Sequence, residues 1–292
     1  MPTEGRTKLV VCADDYALTP GVSRAIRELI AGGRISATSV MTVAPYWADE
    51  GPALAAVARE ADIGLHLTLT DQVPLGPMPE LAPAGRLPPV GAIVRASLLG
   101  RLPLSEIEAE IERQLAAFVA VWKRAPAHVD GHHHVHQLPG VRTALMKVLG
   151  RQTGPRPYLR SCHEPLARIV ARGVARRKAA MISALGAGFR KSAAVQGFAT
   201  NDGFSGAYHL NAAPQSLDAL FAKFVSDLGS RPLMMCHPGY SDDTLATLDT
   251  MTAERDSELA FLAGDSWKRV LEAAQVAVTP FRDLPSQAQH PR

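Results

Sequence analysis

The stretch Ala127-His-Val-Asp-Gly-His-His-His-Val-His136 holds five of the ten histidines in the sequence. If it forms a β-strand, whose side chains alternate between two faces, then Asp130, His132, His134 and His136 share one face. A buried strand would carry Val or Ile there, and a surface loop has no packing reason to concentrate imidazole. Neutral imidazole is a common ligand of Zn and other divalent ions, so the stretch predicts part of a metal site. One strand cannot complete such a site, and we expect further ligands elsewhere in the chain.

Strands and helices alternate on both sides of this stretch. The predicted strands are residues 8–13, 36–43, 62–70, 127–136, 156–162, 194–200, 231–237 and 277–280. Alternating βα units predict a parallel sheet with right-handed connections. Seven or eight such units predict an α/β fold of the single (β/α) barrel, TIM-like type, with residues 1–292 as one domain. A doubly wound open sheet is the alternative, but no G-x-G-x-x-G motif follows a strand to support a dinucleotide fold.

Three segments between the strands bear on function. Residues 73–102 are rich in Pro and Gly, which predicts a long binding loop, a lid or an insertion. Ser105-Glu-Ile-Glu108 has the pattern of a capping box and predicts a helix over residues 105–124. Residues 167–191 are predicted to be one helix with seven basic and no acidic residues. That helix presents either a solvated face or a contact with anionic lipid.

The composition excludes some classes of protein. The chain has 292 residues, of which 47% are hydrophobic and 20% charged, as in ordinary soluble proteins. A net charge of +3 does not indicate nucleic-acid binding. No apolar run is long enough to span a bilayer, and the start of the sequence lacks the apolar region of a signal peptide. The three widely spaced cysteines argue for a reducing compartment, so we expect buried, inert thiols and a cytoplasmic location.

Ionisable residues fall at the ends of several predicted strands. They are Asp14, Asp15, His66, Arg160 and His237. Unpaired charge is costly in parallel strands that are buried on both faces, and the active site of a barrel lies at the C-terminal ends of its strands. These residues therefore predict one site. The two neighbouring aspartates can both reach it only if the first strand ends there, because neighbours on a strand point to opposite faces.

Four motifs together resemble those of the YdjC-like (ChbG/HpnK) carbohydrate deacetylases, in order and in spacing. They are Ala13-Asp-Asp-Tyr16, Gly64-Leu-His-Leu-Thr-Leu-Thr70, His128-Val-Asp-Gly-His-His-His-Val-His136 and Cys236-His-Pro-Gly239. The resemblance spans nearly the whole chain. It implies a distorted (β/α) barrel and a hydrolase that removes the acetyl group from an N-acetylated amino sugar. One departure is Ala17, where the family usually has a glycine after the aspartate pair.

The resemblance also implies a metal site. One divalent ion would be held by Asp15, His66 and His132, with Asp14 as the general base. One carboxylate and two imidazoles leave coordination positions open for water and substrate, as catalytic sites require. Zn and Mg are the ions we favour, although the ligands also suit Fe, Co or Mn. The metal would polarise the acetyl carbonyl and activate a bound water for attack on it.

Five further residues complete the predicted site. They are His237, Arg160, Asp130, His134 and His136. His237 is our candidate general acid for the leaving amine, since histidine changes charge near neutral pH. Arg160 is expected to keep the base charged and oriented. Asp130, His134 and His136 are expected to orient a ligand imidazole or to contact substrate.

Other functions stay open at this point. A metal-dependent sugar isomerase or phosphoesterase would keep the barrel and the ion, and a carbohydrate-binding protein would use the metal structurally. A lipid-linked (hopanoid) sugar is an alternative substrate, because the basic helix suits peripheral contact with a membrane. We expect an acetylated amino sugar or glycoconjugate as partner and no nucleic acid, and the chain is compatible with a homodimer.

Overall fold

The computed structural model describes residues 5–208 and 216–284 of the chain. Its strands are β1 (Thr7–Tyr16), β2 (Ala37–Val40), β3 (Asp62–Leu67), β4 (His128–Gly131), β5 (Tyr158–Leu159), β6 (Gly203–Ser205), β7 (Pro232–Cys236) and β8 (Val276–Val278). Its helices are α1 (Pro20–Ala31), α2 (Trp47–Glu50), α3 (Val90–Leu98), α4 (Leu104–Trp122), α5 (Val141–Arg151), α6 (Leu166–Arg172), α7 (Arg176–Val195), α8 (Leu217–Phe224), α9 (Asp243–Leu248), α10 (Ala253–Ala263) and α11 (Asp265–Ala273). Short 3-10 helices cover Pro52–Val57, His132–Gln137 and Phe281–Asp283.

All described strand pairs are parallel, as the alternation of strands and helices predicted. The order is β5-β4-β3-β2-β1-β7-β6, and β8 pairs with the start of β1. Strand β1 is therefore an interior strand that pairs with β2, β7 and β8, and its residues 9–16 are buried. Its apolar run Leu9-Val-Val-Cys-Ala13 suits a strand that is covered on both faces.

The sheet curls into a half-barrel of seven strands, which is consistent with the predicted distorted (β/α) barrel, although the barrel is not closed. The two edge strands, β5 and β6, have only two and three residues. Between these edges the described chain forms one isolated parallel bridge, Leu159 with Thr200. A single bridge supplies too few backbone hydrogen bonds to make a ladder. The assignment of residues 1–292 to one domain stays a prediction, and residues 1–4, 209–215 and 285–292 lie outside the described part.

The histidine-rich stretch is a strand for only half of its length, which corrects the sequence-based prediction. β4 ends at Gly131, and residues 132–137 turn back in a 3-10 helix in which His133 and His134 have φ of +52° and +59°. A Cβ atom at Gly131 would lie 2.9 Å from Nδ1 of His136, so this turn requires a residue without a side chain. The four polar residues at 130, 132, 134 and 136 therefore do not share one strand face.

The secondary structure predicted from local sequence patterns is also wrong in three other segments. The predicted loop over residues 73–102 contains helix α3. Helix α4 begins at Leu104 without a side-chain cap, so Ser105 does not form the expected capping box. The predicted strand over residues 194–200 is wrong, because α7 continues to Val195.

The basic segment 167–191 forms two helices, α6 and α7, and not one. Helix α6 ends at Gly173, whose φ of +67° breaks the helical path. Arg172 is buried and pairs with Glu164 at 3.1 Å, while Leu166 and Met181 are exposed on the surface of the pair of helices. No helix in the described part of the chain is long and apolar enough to cross a bilayer. Contact of this surface with a membrane stays a prediction.

The packing of β3 against β4 yields a test of the fold. A Cβ atom at Gly64 would lie 2.4 Å from three ring atoms of the buried His128. We expect Gly64→Ala to lower the free energy of unfolding by about 1–3 kcal/mol, the usual cost of overpacking a core. Gly91→Ala is the matched control, because a Cβ atom there meets nothing within 4 Å. Urea unfolding of both variants measures the difference, and equal stabilities would contradict this packing.

Candidate active site

A bulge near the end of β1 brings two neighbouring carboxylates to one place. The pairing of β1 with β2 shifts register between Ala13 and Tyr16, and Asp15 has a left-handed φ of +68°. The sequence argument required the first strand to end at the aspartates. The strand continues to Tyr16 instead, and the bulge allows both aspartates to reach the site. Ala17, which follows the aspartate pair and Tyr16, also has a positive φ, of +75°. Left-handed backbone in residues other than glycine is strained and is concentrated at functional sites.

The structure brings together the three predicted metal ligands. Oδ1 of Asp15 lies 3.3 Å from Nε2 of His66 and 3.1 Å from Nδ1 of His132. One ligand atom from each residue lies within 4.8 Å of the other two. Asp15 and His66 are buried, whereas the side chain of His132 is partly exposed, so the cluster has one open side.

Charged neighbours keep Asp15 ionised. Burial alone would raise the pKa of Asp15, but the charge of Arg255 and hydrogen bonds from His132 and His66 hold it well below the ordinary value. Arg255 donates from Nη2 to Oδ2 of Asp15 at 2.6 Å. The carboxylate is therefore ready to bind a cation at neutral pH.

Asp130 fixes the orientation of the His66 ring. Nδ1 of His66 lies 2.7 Å from Oδ1 of Asp130 and 3.0 Å from Oγ of Ser39, which leaves Nε2 directed at Asp15. Burial lowers the pKa of His66, but the charges of Asp130 and Asp14 outweigh it and raise the pKa to about 10. The surroundings therefore favour positive charge at this ring. A divalent cation would supply such charge, and one carboxylate with two imidazoles is a donor set that fits one.

Arg160 binds both carboxylate oxygens of Asp14, the predicted general base. Its Nη1 and Nη2 donate to the two oxygens of Asp14 at 2.6 and 2.9 Å, and Nη1 also lies 2.9 Å from Oδ2 of Asp130. The guanidinium has no exposed surface, so both carboxylates are needed to offset the cost of burying it. Arg160 thereby links the predicted base to the residue that orients the ligand His66.

The predicted general acid lies beside the base. Nε2 of His237 is 3.9 Å from Oδ2 of Asp14, and the side chain is partly exposed. The backbone N–H of His237 donates to Oε2 of Glu258 at 2.6 Å, and the hydroxyl of Tyr208 donates to Oε1 of the same carboxylate at 2.6 Å. The loop that carries His237 is therefore anchored at this residue.

The other two predicted histidines do not join the cluster of metal ligands. His136 is buried, and its Nε2 donates to the carbonyl oxygen of Arg160 at 2.8 Å. His134 lies 3.6 Å from the thiol of Cys162, with its ring edge against Phe204. His136 thus supports the backbone beneath the site, and His134 lines a neighbouring region.

The three cysteines are free and buried, as expected for inert thiols. Burial is the largest cause that raises the pKa of each one, to about 12 for Cys162. A thiol nucleophile needs a lowered pKa. Cys236, although it directly precedes His237 in the sequence, therefore lacks the lowered pKa of a thiol nucleophile.

Sequence reasoning missed Arg255 and Glu258, which approach the site from helix α10. Both are buried, on the same side of the helix as Leu259 and Leu262. Two charged residues on the apolar stripe of an amphipathic helix are a signal that could have identified them, because buried charge needs a partner. Here the partners are Asp15 and the backbone of His237.

Comparison with known proteins assigns the chain to a family. The family model described as YdjC-like protein matches residues 8–273. The chain belongs to this family. The resemblance first seen in four motifs is thereby confirmed.

Two curated relatives show how far the similarity extends. The chain is 30% identical over 278 residues to a chitooligosaccharide deacetylase of Serratia marcescens, covering 94% of this chain and 98% of that protein. It is 35% identical over 150 residues to a carbohydrate deacetylase of Mus musculus, covering 49% of this chain and 47% of that protein. Among solved structures, one from Enterococcus faecalis described as a candidate cellobiose-phosphate cleavage protein has a TM-score of 0.71. It is 21% identical and covers 95% of this chain and 98% of that chain, so it shows the fold alone.

The buried His136 predicts a pH effect on stability. Burial, aided by the charge of Arg160, lowers its pKa to about 3, against an ordinary value of 6.5. Between these values the unfolded chain binds a proton that the folded chain does not, so acid favours unfolding. The expected loss is up to about 1.4 kcal/mol for each pH unit below 6.5.

His136→Gln retains a donor for the carbonyl of Arg160 but does not titrate. We expect the variant to be less stable than wild type at neutral pH, with a gap in the free energy of unfolding that narrows as pH falls through 6.5. Urea unfolding across this pH range measures the gap. A gap that stays constant would show that His136 takes up no proton on unfolding.

Proposed function

We propose that the protein is a metal-dependent hydrolase that removes the N-acetyl group from an acetylated amino sugar. One observation carries the proposal: Asp15, His66 and His132 converge at one point, beside Asp14. His237 lies next to Asp14 on the partly exposed side. The deacetylase names of the curated relatives favour an amide hydrolase over the isomerase and phosphoesterase that the sequence left open.

Asp15, His66 and His132 are the residues that would hold the ion, with Zn or Mg favoured. The bound ion would supply a Lewis acid that polarises the acetyl carbonyl and activates water. Asp130 binds Nδ1 of His66, and Arg255 binds Oδ2 of Asp15. These two atoms are not the ones that would coordinate the ion. Ligands fixed in this way lose little freedom when the ion binds.

Asp14 acts as the general base in this mechanism. It removes a proton from the attacking water as the water adds to the acetyl carbon. The two hydrogen bonds from Arg160 hold the carboxylate in one orientation, and Ser39 contributes a third contact at 3.3 Å. A base fixed in this way is already placed for proton transfer before substrate arrives.

His237 acts as the general acid. An amine leaves an amide only when its nitrogen is protonated, because the amide anion is too basic to depart. The partly exposed ring of His237 can reach the leaving nitrogen from the side of Asp14. Its backbone is held by Glu258, so the ring projects from a fixed point.

The first test is acetate release from oligomers of N-acetylglucosamine. We expect the purified protein to release acetate, a chelator to stop the reaction, and added Zn²⁺ or Mg²⁺ to restore it. His132→Ala should abolish release, because it removes a ligand. His163→Ala is the matched control, since His163 is partly buried and contacts Ser183 away from the cluster. Acetate release that survives both chelator and His132→Ala would exclude this mechanism.

The role of His237 is tested by changing the leaving group. His237→Ala should slow amide hydrolysis by about 10²–10⁴-fold, the usual contribution of a general acid. Hydrolysis of 4-nitrophenyl acetate should be nearly unchanged, because nitrophenolate leaves without a proton. Steady-state rates on both substrates measure the effect. An equal loss on both would mean that His237 serves substrate binding or folding and is not the acid.

A further inference from the structure

Arg255 is a buried guanidinium that the predicted mechanism does not use. It extends from the first turn of α10, and only 1% of its surface is exposed. Its Nη2 donates both to Oδ2 of Asp15 and to Oδ2 of Asp249, each at 2.6 Å, and Nε donates to Oδ2 of Asp249 at 3.1 Å. A charge this deeply buried persists only because its partners are in place.

The two oxygens of Asp15 have different surroundings. Oδ1 faces the imidazoles of His66 and His132, at 3.3 and 3.1 Å. Oδ2 faces Arg255. A carboxylate can bind a cation through one oxygen or through both. With Oδ2 held by a guanidinium, only Oδ1 is free to act as a ligand.

We propose that Arg255 is a positioning residue that restricts Asp15 to binding the metal through one oxygen. This inference rests on the proposed function. A second oxygen on the ion would fill a coordination position that a catalytic site needs for water or substrate. Arg255 therefore keeps that position open, although its positive charge opposes binding of the cation.

Arg255 is itself held at its guanidinium and at its backbone. Asp249 anchors the guanidinium, and the backbone N–H of Met251 donates to Oδ1 of Asp249 at 3.0 Å. The carbonyl oxygen of Arg255 accepts the N–H of Gly239 at 3.2 Å. The side chain therefore cannot swing away from Asp15 without also breaking its hydrogen bonds to Asp249.

The test separates metal affinity from turnover. Arg255→Met removes the charge and both donors but keeps a similar apolar stem. We expect Zn²⁺ to bind this variant at least as tightly as wild type, up to about tenfold more tightly, because two carboxylates lose their counter-charge. Turnover of the N-acetylglucosamine oligomers should fall by about 10- to 100-fold. Calorimetric titration of the metal-free proteins gives the affinities, and acetate release gives the rates.

Two further variants control for folding. Arg255→Lys keeps the charge and one donor, so its Zn²⁺ affinity should match wild type and its turnover should fall by less than in Arg255→Met. Asp249→Asn weakens the anchor of Arg255 but keeps the charge of the guanidinium, so its turnover should fall by less than in Arg255→Met. Thermal unfolding of each metal-free variant shows whether the fold is intact.

Three outcomes would overturn the inference. Parallel loss of affinity and turnover in Arg255→Met would assign Arg255 to binding or folding alone. Unchanged turnover in that variant would show that the open position does not depend on Arg255. A wild-type protein that binds no Zn²⁺, Mg²⁺ or Co²⁺ would instead reject the metal site, and with it the proposed function. The first two results leave the deacetylase proposal standing.

Discussion

The burial of Arg160 is the constraint on which the rest of the site depends. A lone guanidinium with no exposed surface would be costly to bury, and the contacts of Arg160 with Asp14 and Asp130 offset that cost. Asp130 then has one oxygen left, and that oxygen holds His66. The proposed base, Asp14, and one proposed metal ligand, His66, are therefore oriented by the same guanidinium. Such a network is weak evidence for stability, but it fixes geometry, because no member can move without leaving another charge unpaired.

Charge balance at the centre of the half-barrel favours a cation. Four carboxylates, Asp14, Asp15, Asp130 and Asp249, contact the two buried guanidiniums of Arg160 and Arg255, so acidic groups outnumber basic groups in this network. In the protein alone this excess raises the pKa of the histidine that pairs with Asp130. A divalent ion would take over the role of that proton. The electrostatics and the ligand geometry thus both favour a cation at this position.

The sequence predicted which residues lie close together better than it predicted the backbone conformation around them. Asp15, His66 and His132 come from three strands or strand ends, and they meet because the C-terminal ends of parallel strands share one edge of the sheet. The apolar runs and the residue types at their ends were sufficient for that prediction. The turn after Gly131 could not be predicted in this way, because polar residues at alternate positions suit a strand as well. The turn is stabilised by the packing of His136 against Gly131 and by its hydrogen bond to the carbonyl of Arg160. The hydrogen bond joins residues far apart in the sequence, so local patterns do not reveal it.

Helix α10 shows why the remaining residues were missed, and what they do. Arg255 contacts an aspartate 240 positions away in sequence, a separation over which local periodicity carries no information. The same helix reaches the loop after β7 twice, through the carbonyl of Arg255 to Gly239 and through Glu258 to the N–H of His237. One rigid element therefore sets the position of the metal-ligand carboxylate relative to the proposed acid. Two charges on the apolar stripe of a helix weaken a core unless each one is paired. Here Arg255 is paired with Asp15, and Glu258 is paired with the backbone of His237. The sequence of α10 therefore reflects the needs of the site as well as those of core packing.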